Sequence, residues 1–160
     1  MTAARSQIYR YRTTFDAPVP FVFRWCTDYQ PSDPKLEGEA YQRRVLERTS
    51  RRVVYEDLEK LPNGWFWTRH VVTLEPPDHW RSISVGNYRN FVLDYRLRKT
   101  PGGGTELRFT GRRQPAILAT KNPSVRAFGR SMESSWKRFR QQLEREFHAS
   151  RRGKRRPRRS

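Results

Sequence analysis

The chain has 160 residues, enough for one domain with a core, and its 34 Lys and Arg against 16 Asp and Glu give a net charge of +18. That charge draws it toward polyanions and leaves the fold undetermined. A single cysteine, Cys26, excludes an intramolecular disulfide and a four-cysteine zinc site, and no uncharged apolar run approaches the ~20 residues that span a bilayer.

The opening "MTAARSQIYRY" holds no apolar stretch that could serve as an export signal, so a reducing cytoplasm is the expected compartment. "SQIYRYRTTF" then alternates, with Ile8 on one face and Tyr9, Tyr11 and Phe15 on the other, which predicts an antiparallel strand. In "DAPVPFVFRWCTDY", Asp16 offers a cap and Val19, Val22, Phe23 and Cys26 fall on one helical face, predicting a short helix over 18–28. "SDPKLE" predicts a second one, with Asp33 as cap, Pro34 in the first turn and Gly38 as the stop.

From Tyr41 to Arg113 six candidate strands follow: "YQRRVLERT", "RVVYEDLEK", "GWFWTRHVVTL", "HWRSISVGN", "NFVLDYRLRKT" and "TELRFTGRR". Turn residues separate several of them, at Leu61 to Gly64, Pro76 to Asp78 and Pro101 to Gly104. In the last but one, Phe91, Leu93, Tyr95 and Leu97 alternate with Asp94, Arg96 and Arg98, so one face is buried and the other mostly wet. After Pro115 and Pro123, the residues Val125, Phe128, Met132, Trp136, Phe139, Leu143 and Phe147 form one stripe along a long helix, which needs a sheet to lie on. The ending "RRGKRRPRRS" has seven cations (Arg151, Arg152, Lys154, Arg155, Arg156, Arg158 and Arg159) and nothing to pack, so residues 150–160 are expected to be a disordered tail behind a domain of residues 1–149.

This order of elements resembles the START-like superfamily, the polyketide cyclase/dehydrase and lipid-transport, SRPBCC or Bet v 1-like group. Local likenesses are "FDAPVPFVFRWCTDY" to its strand-to-helix segment, "VVTLEPPDHW" to its strand-Pro-Pro-strand turn and "YRLRKTPGGGTELRF" to its "GT" hairpin. The resemblance implies an α+β helix-grip fold: a curved antiparallel sheet of about seven strands wrapped around the long C-terminal helix, with two short helices after the first strand. It also implies a cavity between sheet and helix that takes an apolar or amphipathic small molecule, while the group's diversity leaves the function itself undecided.

Candidate chemistry is sparse. The carboxylates Asp28, Asp33, Glu37 and Glu39 follow no calcium-loop pattern and have no nearby histidine, so no metal is expected; Glu37 and Glu39 read as exposed, Asp28 and Tyr29 as the rim of a cavity. Cys26 has no base beside it and reads as packed and inert, and His148 as a partner of its helix terminus. His70 shares a strand face with Thr68, Val72 and Leu74, where a polar group points either into a sheet or into a cavity. Gly102 to Gly104 join two strands without the helix that phosphate binding requires.

Trp65, Trp67 and Arg69 share one face of their strand. Turned inward, the tryptophans would wall a pocket that Arg69 anchors; turned outward, the trio would be a basic-aromatic patch suited to nucleobases. Alternation does not decide between the two. The expected function is binding of a hydrophobic or amphipathic small molecule by an enclosed pocket, with Tyr11, Asp28, Trp67, Arg69, His70, Tyr88, Tyr95 and Trp136 as candidate lining residues and with no cofactor and no catalytic residue assigned. The alternatives are a cyclase or dehydratase, in which His70, Tyr95 or Arg69 would move a proton or polarise a carbonyl, and a nucleic-acid or ribosome-associated protein. The cationic tail adds nonspecific contact with nucleic acid or an anionic surface.

Overall fold

The computed structural model describes residues 7–62, 64–87, 89–115 and 125–154. Seven strands, β1 (Gln7–Phe15), β2 (Gln42–Arg48), β3 (Arg52–Leu61), β4 (Gly64–Glu75), β5 (His79–Gly86), β6 (Arg89–Lys99) and β7 (Thr105–Pro115), form one antiparallel sheet in the order β1-β7-β6-β5-β4-β3-β2. The helices are α1 (Val19–Cys26), α2 (Asp33–Glu37) and α3 (Val125–Lys154). Consecutive strands from β2 to β7 are hairpin neighbours, and β1 closes against β7 with Phe15 opposite Thr105, so α1 and α2 carry the chain from one edge of the sheet to the other.

The inward face collects the apolar half of each alternating strand: Phe15, Val53, Tyr55, Val72, Leu74, Trp80, Leu97 and Leu107 are buried there against Val22 and Phe23 of α1 and Trp136 and Leu143 of α3. Ring contacts tie the layers, Phe15 to Trp136 at 6.4 Å and Phe23 to Trp80 at 5.8 Å between centroids. α3 thus lies along the curve of the sheet on the stripe that its sequence spacing marks. No helix among the described residues is long and apolar enough to cross a membrane.

Three local expectations change. Pro18, not Asp16, occupies the N-cap of α1, and no side chain caps it; Asp16 instead ties the strand end to α3, its N–H donating to Glu144 Oε1 at 2.8 Å and its carboxylate lying 3.2 Å from His148 Nε2. His148, expected at the helix terminus, stands six residues before it and pairs with the Asp16 carboxylate instead. Ser32, not Asp33, is the N-cap of α2, while Gly38 stops that helix in the left-handed conformation (φ 72°) that a glycine adopts without strain. Finally α3 runs to Lys154, past the expected end of the ordered domain at residue 149, because cationic side chains are favourable at a helix C-terminus. Arg151 also lies over the Phe147 ring at 5.8 Å.

Candidate functional site

Between the sheet, α1, α2 and α3 lies a chamber of about 120 Å³. Trp25, Tyr29, Trp80, Tyr95, Trp136 and Phe139 give it aromatic walls, and Asp28, Asp33, Glu37 and Arg43 give it a polar end. Trp80 and Tyr95, opposite each other on β5 and β6, stack at 4.8 Å and 7°. Tyr29 follows α1 with φ 45°, a strained conformation for an aromatic residue, and its ring stacks on Tyr55 at 4.8 Å. Glu37 and Arg43 are shared with a second, more open groove of about 370 Å³, lined also by Tyr41, Asp57, Phe66, Thr68, His70 and Phe91 and by Ser131 and Ser135 of α3.

Arg43 stands where the two spaces meet. On β2 it points inward beside Asp57 of β3, donating from Nε to Oδ1 at 2.9 Å and from Nη2 to Oδ2 at 3.0 Å; its Nη1 donates to Asp33 Oδ2 at 2.8 Å and its Nη2 to the Tyr41 hydroxyl at 3.1 Å. The guanidinium lies 4.3 Å from the centre of the Tyr55 ring. Bidentate pairing of this kind is strong and orienting, and the two carboxylates commit the whole charge of Arg43. Burial pushes the Asp57 carboxyl up, but hydrogen bonds from His70 and Arg43 outweigh it and hold Asp57 below the usual carboxylate range.

His70 continues this network across the sheet. Its Nε2 lies 3.4 Å from Asp57 Oδ2, its Nδ1 shares a 2.8 Å hydrogen bond with Ser84 Oγ, and its ring stacks on Tyr55 at 4.4 Å and 10°. Tyr55, His70 and Ser84 are register partners on β3, β4 and β5, so pairing alone aligns them. Both ring nitrogens of His70 are engaged within the protein.

Burial raises the three carboxyls at the chamber, Asp28 to about 6, Glu37 to about 7, and Asp33 as well, where Arg43 offsets part of the effect. For Asp28 the neighbouring Asp33 adds to the effect, whereas the Tyr41 hydroxyl and Arg43 partly offset it for Glu37. Burial likewise pushes the Cys26 thiol and the Tyr55 and Tyr95 phenols up, so these groups stay protonated at neutral pH. Among the described residues no three His, Cys, Asp or Glu side chains come together to hold a metal ion.

Of the candidates read from sequence, Asp28, Tyr95 and Trp136 line the chamber and His70 lines the groove. Tyr11 faces inward on β1 opposite Phe109 and packs on the core, lining neither space. Trp67 and Arg69 lie on the other face of the sheet: Arg69 donates to Glu56 Oε1 from Nη2 at 2.6 Å and from Nε at 3.0 Å and sits 5.8 Å from the Trp67 ring, and Trp65 beside them is 55 % exposed. The reason is register, since Val53, Tyr55 and Asp57 of the buried face pair with Val72, His70 and Thr68, which sends the odd-numbered residues of β4 outward. Tyr88 lies outside the described residues, as do Arg155, Arg156, Arg158 and Arg159; Arg151 and Arg152 are exposed on the last turn of α3, which Lys154 ends.

Glu37, expected to be exposed, is partly buried at the chamber, and Asp33 serves Arg43 rather than a helix end. Arg43 and Asp57 were not singled out by the sequence reading. Their signal is a charged residue at an inward position of an alternating strand, Arg43 before Val45 and Asp57 after Val53 and Tyr55. Arg113, buried on the inner face of β7 with Nε and Nη1 unpartnered among the described residues, lines neither space.

No family model and no curated protein sequence matches the chain. Solved structures do. The Zhui aromatase/cyclase of Streptomyces sp. R1128 superposes with a TM-score of 0.69 at 11 % identity, over 88 % of this chain and 95 % of that one. Ara h 8.0201 gives 0.67 at 12 % over 87 % and 98 %. The di-domain aromatase/cyclase StfQ from the steffimycin biosynthetic pathway gives 0.65 at 15 %, with 92 % of this chain matching 52 % of that one, about one of its two domains. Identities this low speak for architecture alone, and together with the sheet order and the long terminal helix they establish that the chain has a helix-grip, Bet v 1-like fold.

Proposed function

We propose that this protein binds a small amphipathic molecule, with a flat apolar part in the aromatic chamber and a polar part toward Arg43 and the outer groove. The observation that carries this reading is that the two spaces adjoin, with Glu37 and Arg43 in the walls of both, one walled mainly by aromatic rings and the other mainly by polar side chains. Aromatase/cyclases among the structures of the same fold add support for a ring-bearing ligand. Binding is favoured over turnover, because Ser84, the hydroxyl that His70 Nδ1 engages, is buried and lines neither space, and the Cys26 thiol is held protonated, which leaves no free nucleophile among the groups singled out.

Titration with a neutral fluorescent aromatic such as 2-naphthol tests this. Saturable binding that weakens when Cys26, at the chamber wall, is enlarged by Cys26→Phe is the expected result. Binding that is absent, or indifferent to that substitution while circular dichroism shows an intact fold, would refute it.

A second reading, contact with nucleic acid or another polyanion, draws on a different surface. Arg10, Arg44, Arg81, Arg98 and Arg112 are exposed on the outward face of the sheet and form no ion pair among the described residues, and Trp65 is exposed on the same face. The sequence adds further cations from Arg151 onward. Such contact is compatible with a ligand held inside, since the two use opposite faces of the sheet.

A further inference from the structure

The chamber is anionic inside a protein of net charge +18. Three carboxylates line it, Asp28, Asp33 and Glu37, against one cation, Arg43. That cation is already spent: two of its nitrogens serve Asp57 and a third serves Asp33. Asp28 and Glu37 form no close ion pair among the described residues, although Arg48 attracts Asp28 and Arg43 attracts Glu37 from farther off; Asp28 accepts one long hydrogen bond, 3.4 Å, from Gln30 Nε2, and Glu37 has the Tyr41 hydroxyl. The rest of the wall is aromatic, and Trp80, Tyr95, Trp136 and Phe139 run in contact, with centroid separations of 4.8 Å, 6.1 Å and 5.6 Å.

Carboxylates without a close counterion, set among aromatic rings, form the surroundings that an ammonium group prefers, because the ring quadrupole and the carboxylate attract the same charge. An anion meets the reverse. It would face like charge at short range in a partly dry space; Arg43 is engaged by its carboxylates, and Arg48 and Arg138, the other guanidinium groups nearby, are tied to the backbone carbonyls of Asp28 and Glu37. We propose that the ligand of this chamber is a protonated aromatic amine, its ring among Trp80, Tyr95 and Trp136 and its ammonium against Asp28 and Glu37. The volume, about 120 Å³, suits a single six-membered ring, given that an apolar cavity of roughly 150 Å³ holds benzene. Larger substituents would extend past Arg43 into the groove.

This inference rests on the reading of the two spaces as a binding site, and a matched ligand series separates the two claims. Tyramine, 4-ethylphenol and 3-(4-hydroxyphenyl)propionate share a ring and differ in charge, being cationic, neutral and anionic. Calorimetric titrations at about pH 8, where both carboxyls are ionised and the amine still protonated, and in about 0.2 M salt to screen the outer surface, are expected to rank them in that order. Tyramine should exceed 4-ethylphenol by about tenfold or more, and Glu37→Gln and Asp28→Asn should each shrink that ratio several-fold. Equal affinities for tyramine and 4-ethylphenol, or a preference for the propionate, would overturn the amine assignment and leave the binding site standing. A tyramine preference untouched by both substitutions would place the cation elsewhere and overturn it too. Failure of all three ligands together with 2-naphthol would remove the binding site and this inference with it.

Discussion

On β4 the two faces of the sheet meet opposite surroundings one residue apart. Thr68, His70 and Val72 look inward, where His70 joins a network of carboxylates, phenols and one committed arginine, whereas Trp65, Trp67 and Arg69 look to solvent beside the exposed Ile83 and Val85 of β5. The outer face displays arginines in excess of its carboxylates; of the three chamber carboxylates only Asp33 has a close counterion, Arg43. Net charge is therefore a property of the outside of this protein and carries the wrong sign for its pocket. What the surface attracts and what the interior accepts are separate questions.

The largest test of that contrast uses one substitution on both faces. Trp136→Ala removes a buried ring that α3 sets against Phe15, Tyr95 and Phe139 and should cost about 3 to 5 kcal/mol of stability, while Trp65→Ala, on the exposed face, should cost less than about 0.5 kcal/mol. Urea denaturation of both variants measures the difference, and equal costs would mean that α3 does not grip the sheet.

Close behind comes Arg43→Ala, which leaves Asp57 and Asp33 uncompensated in surroundings where the arginine side chain is only 6 % exposed, a loss of about 3 kcal/mol or more. Arg69→Ala, which breaks a half-exposed pair with Glu56, should lose about 1 kcal/mol or less. Thermal unfolding of the two variants compares a buried and an exposed ion pair in one protein.

For the outer surface, engagement of about four phosphates by the exposed arginines and the C-terminal cations predicts roughly a hundredfold loss of RNA affinity between about 50 and 200 mM salt. Fluorescence anisotropy with two unrelated RNAs should give equal affinities. Deleting residues 151–160 should flatten the slope, and 2-naphthol binding should not follow either change.

The smallest effect is a pH dependence from the inner carboxyls. Asp28 and Glu37 have folded-state values of about 6 and 7, above those of an unfolded chain, so the stability they contribute is complete below about pH 4 and is lost as pH rises through 6 and 7. Asp57 acts with the opposite sign, since its lowered value stabilises above the unfolded range and that part disappears in acid. After allowance for water reaching Asp28, the pair should make the free protein about 1 to 2 kcal/mol less stable at pH 8 than at pH 5. Asp28→Asn combined with Glu37→Gln should remove most of that difference and leave the part that the raised Asp33 contributes with the same sign, as read from denaturation at both pH values.

How much of this the chain announces depends on how local the determinant is. The stripe from Met132 through Trp136, Phe139, Leu143 and Phe147 repeats with the period of a helix, and Phe91, Leu93, Tyr95 and Leu97 repeat with the period of a strand, so α3 and β6 are written in neighbours a few positions apart. Turn residues divide the meander in the same local way, and the element order that results is enough for the fold. Asp28, Tyr95 and Trp136 were legible as site residues because each stands on an element whose buried side was already clear. β4 was not, since "GWFWTRHVVTL" has large apolar residues on both faces and alternation is symmetric between them.

Only tertiary structure broke that symmetry, through register pairing with β3, whose Val53 and Tyr55 fix the inner side. It also decided the electrostatics of the pocket. Arg43 meets Asp57 across a hairpin, 14 residues away, and meets Asp33 from the end of a helix 10 residues back. Their separation from water, on which the raised Asp28 and Glu37 values depend, arises when α2 and α3 close over the sheet. Local periodicity determines where a side chain stands on its own element; charge pairing and desolvation are sums over elements distant in sequence, and they exist only once those elements have packed.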